Sequence, residues 1–404
     1  MTTPMELAMA PGGTLGRGDY PDHTYTFLFC DLRTDELLAE LPLADVQYSF
    51  ELNGIGSLRG TIPYNDETLR LDPETASMPG RTALWVDRDG VIVWGGIVWT
   101  RQPTRGGKQI QAAEFMSYYQ RRFVTETLST DTSQLSNPAY VPDGQRLYRD
   151  QRYQVWSLLV WAAYQPGGYI GVDASYLSAI AGPTGVDRYA TYLASERPEI
   201  YRIIADLAAA ENGFDFGIEV GWTPAANNVP PRRFKRAMVW YPRRGRTYRE
   251  SDLVFSKGGP DGSILAYDWP EDGTALATAT HGLGGGTGLS RMAATSRADD
   301  MIAAGWPLIE TVTTYNDVEE MDRLRANTAA ELAARQQGLV QPTFEVVADG
   351  DPQFGSYQVG DEALFVIEPE PQAPAGREQV LRILRIETTA GTGPERVRLT
   401  CTAV

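Results

Sequence analysis

Val91-Ile92-Val93-Trp94-Gly95-Gly96-Ile97-Val98-Trp99 is a run of β-branched and aromatic residues broken only by a glycine pair, and locally it reads as a strand. Ahead of it, Val86-Asp87-Arg88-Asp89-Gly90-Val91 is a hairpin with Asp-Gly at its turn, fed by the strand-like Ala83 to Val86. Behind it come the polar turn Thr104 to Lys108 and a further strand, Ile110 to Phe115. Leu58 to Pro63 and Gly80 complete this first module. The same succession returns near the other end as Phe344 to Val347, Gly360, Ala363 to Ile367, Val380 to Ile386, the turn Ala390 to Pro394, and Val397 to Thr402. Identity between the two copies is low, so it is the pattern that repeats. Two similar β modules in one chain can place equivalent surfaces around a ring, which makes assembly a candidate before any chemistry is considered.

Outward from these modules the chain divides into six stretches. Residues 1–19, rich in Pro, Gly and Ala, read as a flexible arm. Residues 20–125 form the first barrel-like β module, beginning with the strand Tyr25 to Cys30 and its return, Leu37 to Leu43. Over 126–213 the apolar period becomes helical. Val155, Trp156, Leu158, Leu159, Val160 and Ala163 suit a buried helix stopping near Pro166-Gly167-Gly168. Ile200, Ile203, Ile204, Leu207 and Ala208 make one stripe on a second helix, from about Pro198 to Glu211. Residues 214–244 return to strand pattern. Residues 245–342 read as an α/β connecting domain with a loop at His281 to Gly288 and a long helix over 317–337, capped by Asn316 or Asp317 and ended by Gly338. Residues 343–404 are the second module. The expected class is α+β, mainly β, multi-domain.

Composition narrows the function. A chain of 404 residues with 42% hydrophobic and 22% charged residues is globular and long enough for two to four domains. A formal net charge of −16 argues against a protein whose task is gripping nucleic acid, since phosphate binding is driven by Lys and Arg. It suits an assembly subunit, or the wall of a passage through which a polyanion slides without capture. Cys30 and Cys401 lie in apolar strand-like runs without His or Cys neighbours, so buried reduced thiols are expected and a zinc site is not. The start shows no secretory signal, and the longest apolar stretch, Val155 to Tyr164, falls far short of the roughly 20 residues of a membrane helix. The reading is of a chain made and folded in a cytoplasm, with no membrane segment.

Catalytic signatures are few. His23 and His281 lack a Gly-x-Ser-x-Gly elbow or a His-Glu-x-x-His partner pattern. Gly282 to Gly288 lacks the Gly-Lys-Ser/Thr ending of a phosphate loop, and a flexible connection or subunit-contact loop is the simpler reading. The acid pairs Asp299-Asp300, Glu319-Glu320 and Asp349-Gly350-Asp351 are no more than an acidic chain offers by chance. No enzyme activity, cofactor or metal is expected. One charge feature stands apart: Arg232, Arg233, Lys235 and Arg236, then Arg243, Arg244 and Arg246, a basic cluster in an acidic chain. It reads first as a solvated loop face, next as a contact for an acidic neighbouring subunit, and last as a nucleic-acid contact.

The order of these parts resembles the tail-hub proteins of long-tailed bacteriophages, among siphophage minor tail proteins. The resemblance is carried by Ser57-Leu58-Arg59-Gly60-Thr61-Ile62-Pro63, Pro79-Gly80-Arg81, Val91 to Val98, Trp269-Pro270-Glu271-Asp272-Gly273, Ala329 to Gln337, Thr343 to Val347, and Tyr357-Gln358-Val359-Gly360-Asp361. It implies a virion structural protein, a homotrimeric ring at the tail tip. Such a ring would link the tail tube and distal tail protein to the tip, beside the tape-measure protein and other tail-tip proteins. DNA would pass its channel without specific binding. The family has no catalytic residues to carry over here. Two alternatives stay open: a hexameric distal tail protein, and a carbohydrate-binding or carbohydrate-cleaving β protein suggested by the many Trp and Tyr residues.

Overall fold

The computed structural model describes residues 23–131, 133, 147–224, 230–259, 262–270, 272–315, 318, 320–336, 341–390 and 395–404. The arm expected over 1–19, the helix caps Asn316, Asp317 and Gly338, and most of the turn Ala390 to Pro394 lie outside them. The chain forms two compact units, one of residues 1–265, 345–399 and 404, the other of 266–344 and 400–403.

In the first unit the strands are β1 (Tyr25–Asp31), β2 (Leu37–Glu40), β3 (Ala44–Glu51), β4 (Ser57–Pro63), β5 (Thr82–Arg88), β6 (Val91–Pro103) and β7 (Gly107–Glu114). They pair antiparallel in the order β2-β1-β5-β6-β7-β4-β3. The two modules then meet in one strand. The second half of Arg377–Ala390 pairs with β3, from Arg385↔Glu51 to Ala390↔Val46, while its first half pairs with Glu362–Ile367. Strand Val254–Lys257 runs parallel beside Glu362–Ile367. The expected modules are thus parts of one sheet, and among the described strands no barrel closes. The fold is α+β and mainly β.

Alternation dictates which face of this sheet is wet. Thr388, Tyr48, Leu58, Ala112 and Val98 fall on buried positions of successive strands, and in the adjoining row Thr389, Gln47, Arg59, Gln111 and Thr100 point the other way. Trp85 and Trp94 are fully buried, each contributing roughly 5 kcal/mol at about 25 cal/mol per Å². Gly95 makes room for this: a Cβ there would sit 2.9 Å from both the Phe115 and Trp85 rings.

The helical stretch packs on the same core. Helix Gln151–Tyr164 is capped by Asp150, whose carboxylate accepts from the amides of Arg152 and Tyr153 at 3.0 and 3.4 Å. Helix Ile200–Ala209 buries Ile200, Ile203, Ile204 and Leu207, the stripe expected from spacing. These side chains join Trp85, Phe115, Phe216 and Val239 in one cluster. The return strands Asp215–Trp222 and Arg233–Trp240 pair antiparallel, and Val172–Asp173 adds a short parallel edge.

The second unit contains a three-stranded sheet with Ala279–Leu283 at its centre, antiparallel to Ala293–Arg297 and parallel to Glu310–Thr314. The loop expected from His281 is therefore strand as far as Leu283, because two neighbouring strands rich in Thr and Ala hold it in register. Helix Met321–Arg335 covers one sheet face through Leu324, Thr328 and Leu332. It begins four residues later than the spacing predicts, since Glu320 is extended (φ −112°, ψ 127°) and the preceding Val318 is buried. Trp269 packs edge-on to Phe344 at 5.7 Å, and Asp272 holds its own turn by accepting from Thr274.

Candidate functional site

Most of the basic cluster is held inside the first unit. Arg233 donates to the Asp35 carboxylate and carbonyl at 3.0 and 2.7 Å and lies over the Trp85 and Trp222 rings. Lys235 is buried under Phe115, its ammonium 4.5 Å from the ring centroid and donating to the carbonyls of Ile170 and Leu32 at 2.8 and 3.1 Å. Burial pulls its pKa down to about 8, with Asp35 opposing the shift. Arg236 stacks on Phe234 and Tyr176. Arg232 is exposed.

The second half of the cluster builds a joint between the return strands and the second module. Arg243 donates to Glu362 at 2.6 Å, and Arg246 grips the wholly buried Asp361 at 2.7 Å, while its backbone N–H donates to the same carboxylate at 2.8 Å. Arg244 stacks on Trp240 and donates to Gln358. Asp215 accepts from Asn53, the Arg244 amide and Arg382 at 2.7, 2.6 and 2.5 Å. Two glycines let the backbones touch. Gly245 and Gly360 have φ of +87° and +95°, and a Cβ on Gly245 would lie 2.1 Å from the Gly360 carbonyl carbon. Close by, burial pushes the Glu114 carboxyl up to about 7, against the Gly56 amide donating at 2.6 Å and the charge of Arg244.

A second joint lies at the start of β1. His23 Nδ1 is 2.6 Å from Asp89 and Nε2 is 2.9 Å from Asp349, so one imidazole bridges the β5–β6 turn and the turn after Val347. Arg88 pairs with the buried Glu395 at 2.8 Å, and Tyr25 donates to the same carboxylate. No local sequence signal marks this group, because its partners are 66 and 326 positions from His23.

His281, in the second unit, has Thr295 and Glu310 each at 2.9 Å, a line of three groups in the order of a hydrolytic triad. It stands on the sheet face away from the helix, with Glu310 half exposed. Among the described residues no cluster of His, Cys, Asp or Glu could hold a metal, and no helix is long and apolar enough to cross a membrane. Both cysteines are free and buried.

A groove of about 500 Å³ runs along the wet sheet face, continued by one of about 420 Å³. Gln47, Arg59 and Gln111 line both. Gln109, Thr61 and Thr389 extend the surface, and its charges balance, with Arg59 and Arg385 against Asp45 and Glu387. The arrangement offers many neutral hydrogen-bonding groups and no excess of cations.

By sequence, no protein-family model and no curated relative matches the chain. By structure, it is similar to the 43 kDa tail protein of prophage MuSo2 from Shewanella oneidensis, with a TM-score of 0.56 over 94% of this chain and 98% of that one at 10% identity. The chain has the fold of a phage tail protein. It is likewise similar to the tail protein from Neisseria meningitidis MC58, with a TM-score of 0.53 over 93% of this chain and 96% of that one, again at 10% identity. At one residue in ten, what this tail-protein fold shares with those two is architecture.

Proposed function

We propose that the chain is a structural subunit of a phage tail tip, a hub ring that joins the tail tube to the tip and surrounds the DNA exit channel. The observation that carries this reading is the single sheet running through both modules, with an open groove on one face across Arg377–Ala390, β3, β4, β7 and the end of β6. That groove is lined by Gln47, Gln109, Gln111, Thr61, Thr100 and Thr389, with Arg59 donating to Gln47 and Arg385 paired with Glu387. A wall of this kind solvates a passing polyanion without supplying the cation excess that would capture it. The tail-protein fold and the net charge of −16 point the same way.

The subunit acts through interfaces rather than turnover. Three copies present six β modules, which can meet a six-fold tube, and the distal tail and tape-measure proteins are the neighbours this geometry suits. Exposed Arg232 remains available to an acidic neighbour. Native mass spectrometry tests the stoichiometry. A trimer is expected; six copies would move the chain to the distal-tail class, and a monomer at every concentration would contradict the ring.

A further inference from the structure

We infer that His23 is a proton-operated clamp fastening the turn after Val347, in the second module, to the β5–β6 turn of the first. The geometry requires the proton. Each ring nitrogen faces a carboxylate oxygen, at 2.6 Å for Asp89 and 2.9 Å for Asp349, and an ionised carboxylate only accepts. Both contacts are hydrogen bonds only when both nitrogens carry hydrogen, as in the imidazolium. Once one proton leaves, one carboxylate faces a bare nitrogen, and one of the two turns loses its hold.

The surroundings decide where the proton leaves. His23 and Asp349 side chains are 11% and 6% exposed. Arg88, from β5, stands 4.0 Å from Asp349 and opposes the imidazolium charge, while Glu395, from the segment entering the last strand, takes up Arg88 at 2.8 Å and favours it. Asp89 is fixed by Thr24, whose amide donates to its other oxygen at 2.9 Å. Burial draws the His23 pKa down, but the bonds to Asp349 and Asp89 outweigh it, and the net shift is upward from 6.5. A group raised in the folded state adds stability that is complete below its unfolded value and is lost as pH rises through the folded one. The clamp is therefore closed in mild acid and opens toward alkaline pH.

What it holds is a short turn. Asp349 follows Ala348, whose amide donates to the Glu395 carbonyl, and Phe354 donates back to the Ala348 carbonyl. Phe354 also lies beneath the Arg88 guanidinium, 5.6 Å from its ring centroid. Opening should accordingly loosen residues 347–354 without unfolding the sheet.

The chain has two histidines, so His281→Gln leaves His23 as the sole imidazole signal. In that protein, a ring-proton titration by NMR is expected to place His23 above 6.5, and Asp349→Asn should lower the midpoint. Hydrogen exchange of residues 347–354, corrected for intrinsic rates, should quicken several-fold across the same midpoint, and His23→Gln should abolish that pH dependence. A midpoint at or below 6.5, or exchange that ignores the titration, would overturn the clamp. The NMR reading stands even if His23→Gln folds poorly.

Discussion

Two joints bind the second β module within the first unit, and they use cations of opposite character. At the Gly245–Gly360 contact the cations are Arg243, Arg246 and Arg382, which stay charged at every pH a protein survives. At the β5–β6 turn the bridging cation is His23, whose charge is lost as pH rises through its raised pKa. The Arg joint also excludes side chains where the two backbones meet, whereas the His23 joint is mostly a set of hydrogen bonds to turns. One should therefore be insensitive to pH and costly to alter, the other adjustable.

The largest effect expected is steric. Gly360→Ala would place a methyl 2.6 Å from the Arg244 carbonyl at φ +95°, and should lower stability by at least about 3 kcal/mol in denaturant unfolding. Arg246→Ala comes next. It leaves the wholly buried Asp361 with backbone donors only, and because Arg246 is itself 41% exposed we expect about 2–3 kcal/mol, equal at pH 6 and pH 8. A pH-dependent loss would show that this joint contains a titrating partner.

Glu114→Gln should act in the opposite direction. A carboxyl raised to about 7 in the folded state favours folding less and less as pH climbs from its ordinary value through 7. The amide should therefore stabilise the protein by about 1–2 kcal/mol at pH 8 and by little at pH 5, measured as Tm. The smallest effect belongs to His23→Gln, about 1 kcal/mol of destabilisation at pH 5.5, fading as pH rises through the His23 pKa. Equal losses at both ends of the range would erase the contrast between the joints.

How much of this was legible in the sequence depends on the distance between partners. Ile200, Ile203, Ile204 and Leu207 announced their helix because the signal lies within three turns, and Asp89-Gly90 announced its hairpin for the same reason. The strand at His281 was hidden because a Gly-rich run carries no alternation, and only the neighbours Ala293–Arg297 and Glu310–Thr314 make it a strand. The Arg cluster was visible as charge, but Asp35, Asp361 and Glu362, which engage three of its arginines, lie more than 110 positions away. The joining of the modules through Arg377–Ala390 was likewise out of reach, since pairing with β3 spans more than 300 residues.

The ring reading is most directly tested by electron microscopy of the purified protein with symmetry-free averaging. A three-fold ring with six similar peripheral lobes and a central hole wide enough for duplex DNA is expected. Isolated single copies with no hole, at concentrations where the protein is otherwise folded, would contradict it.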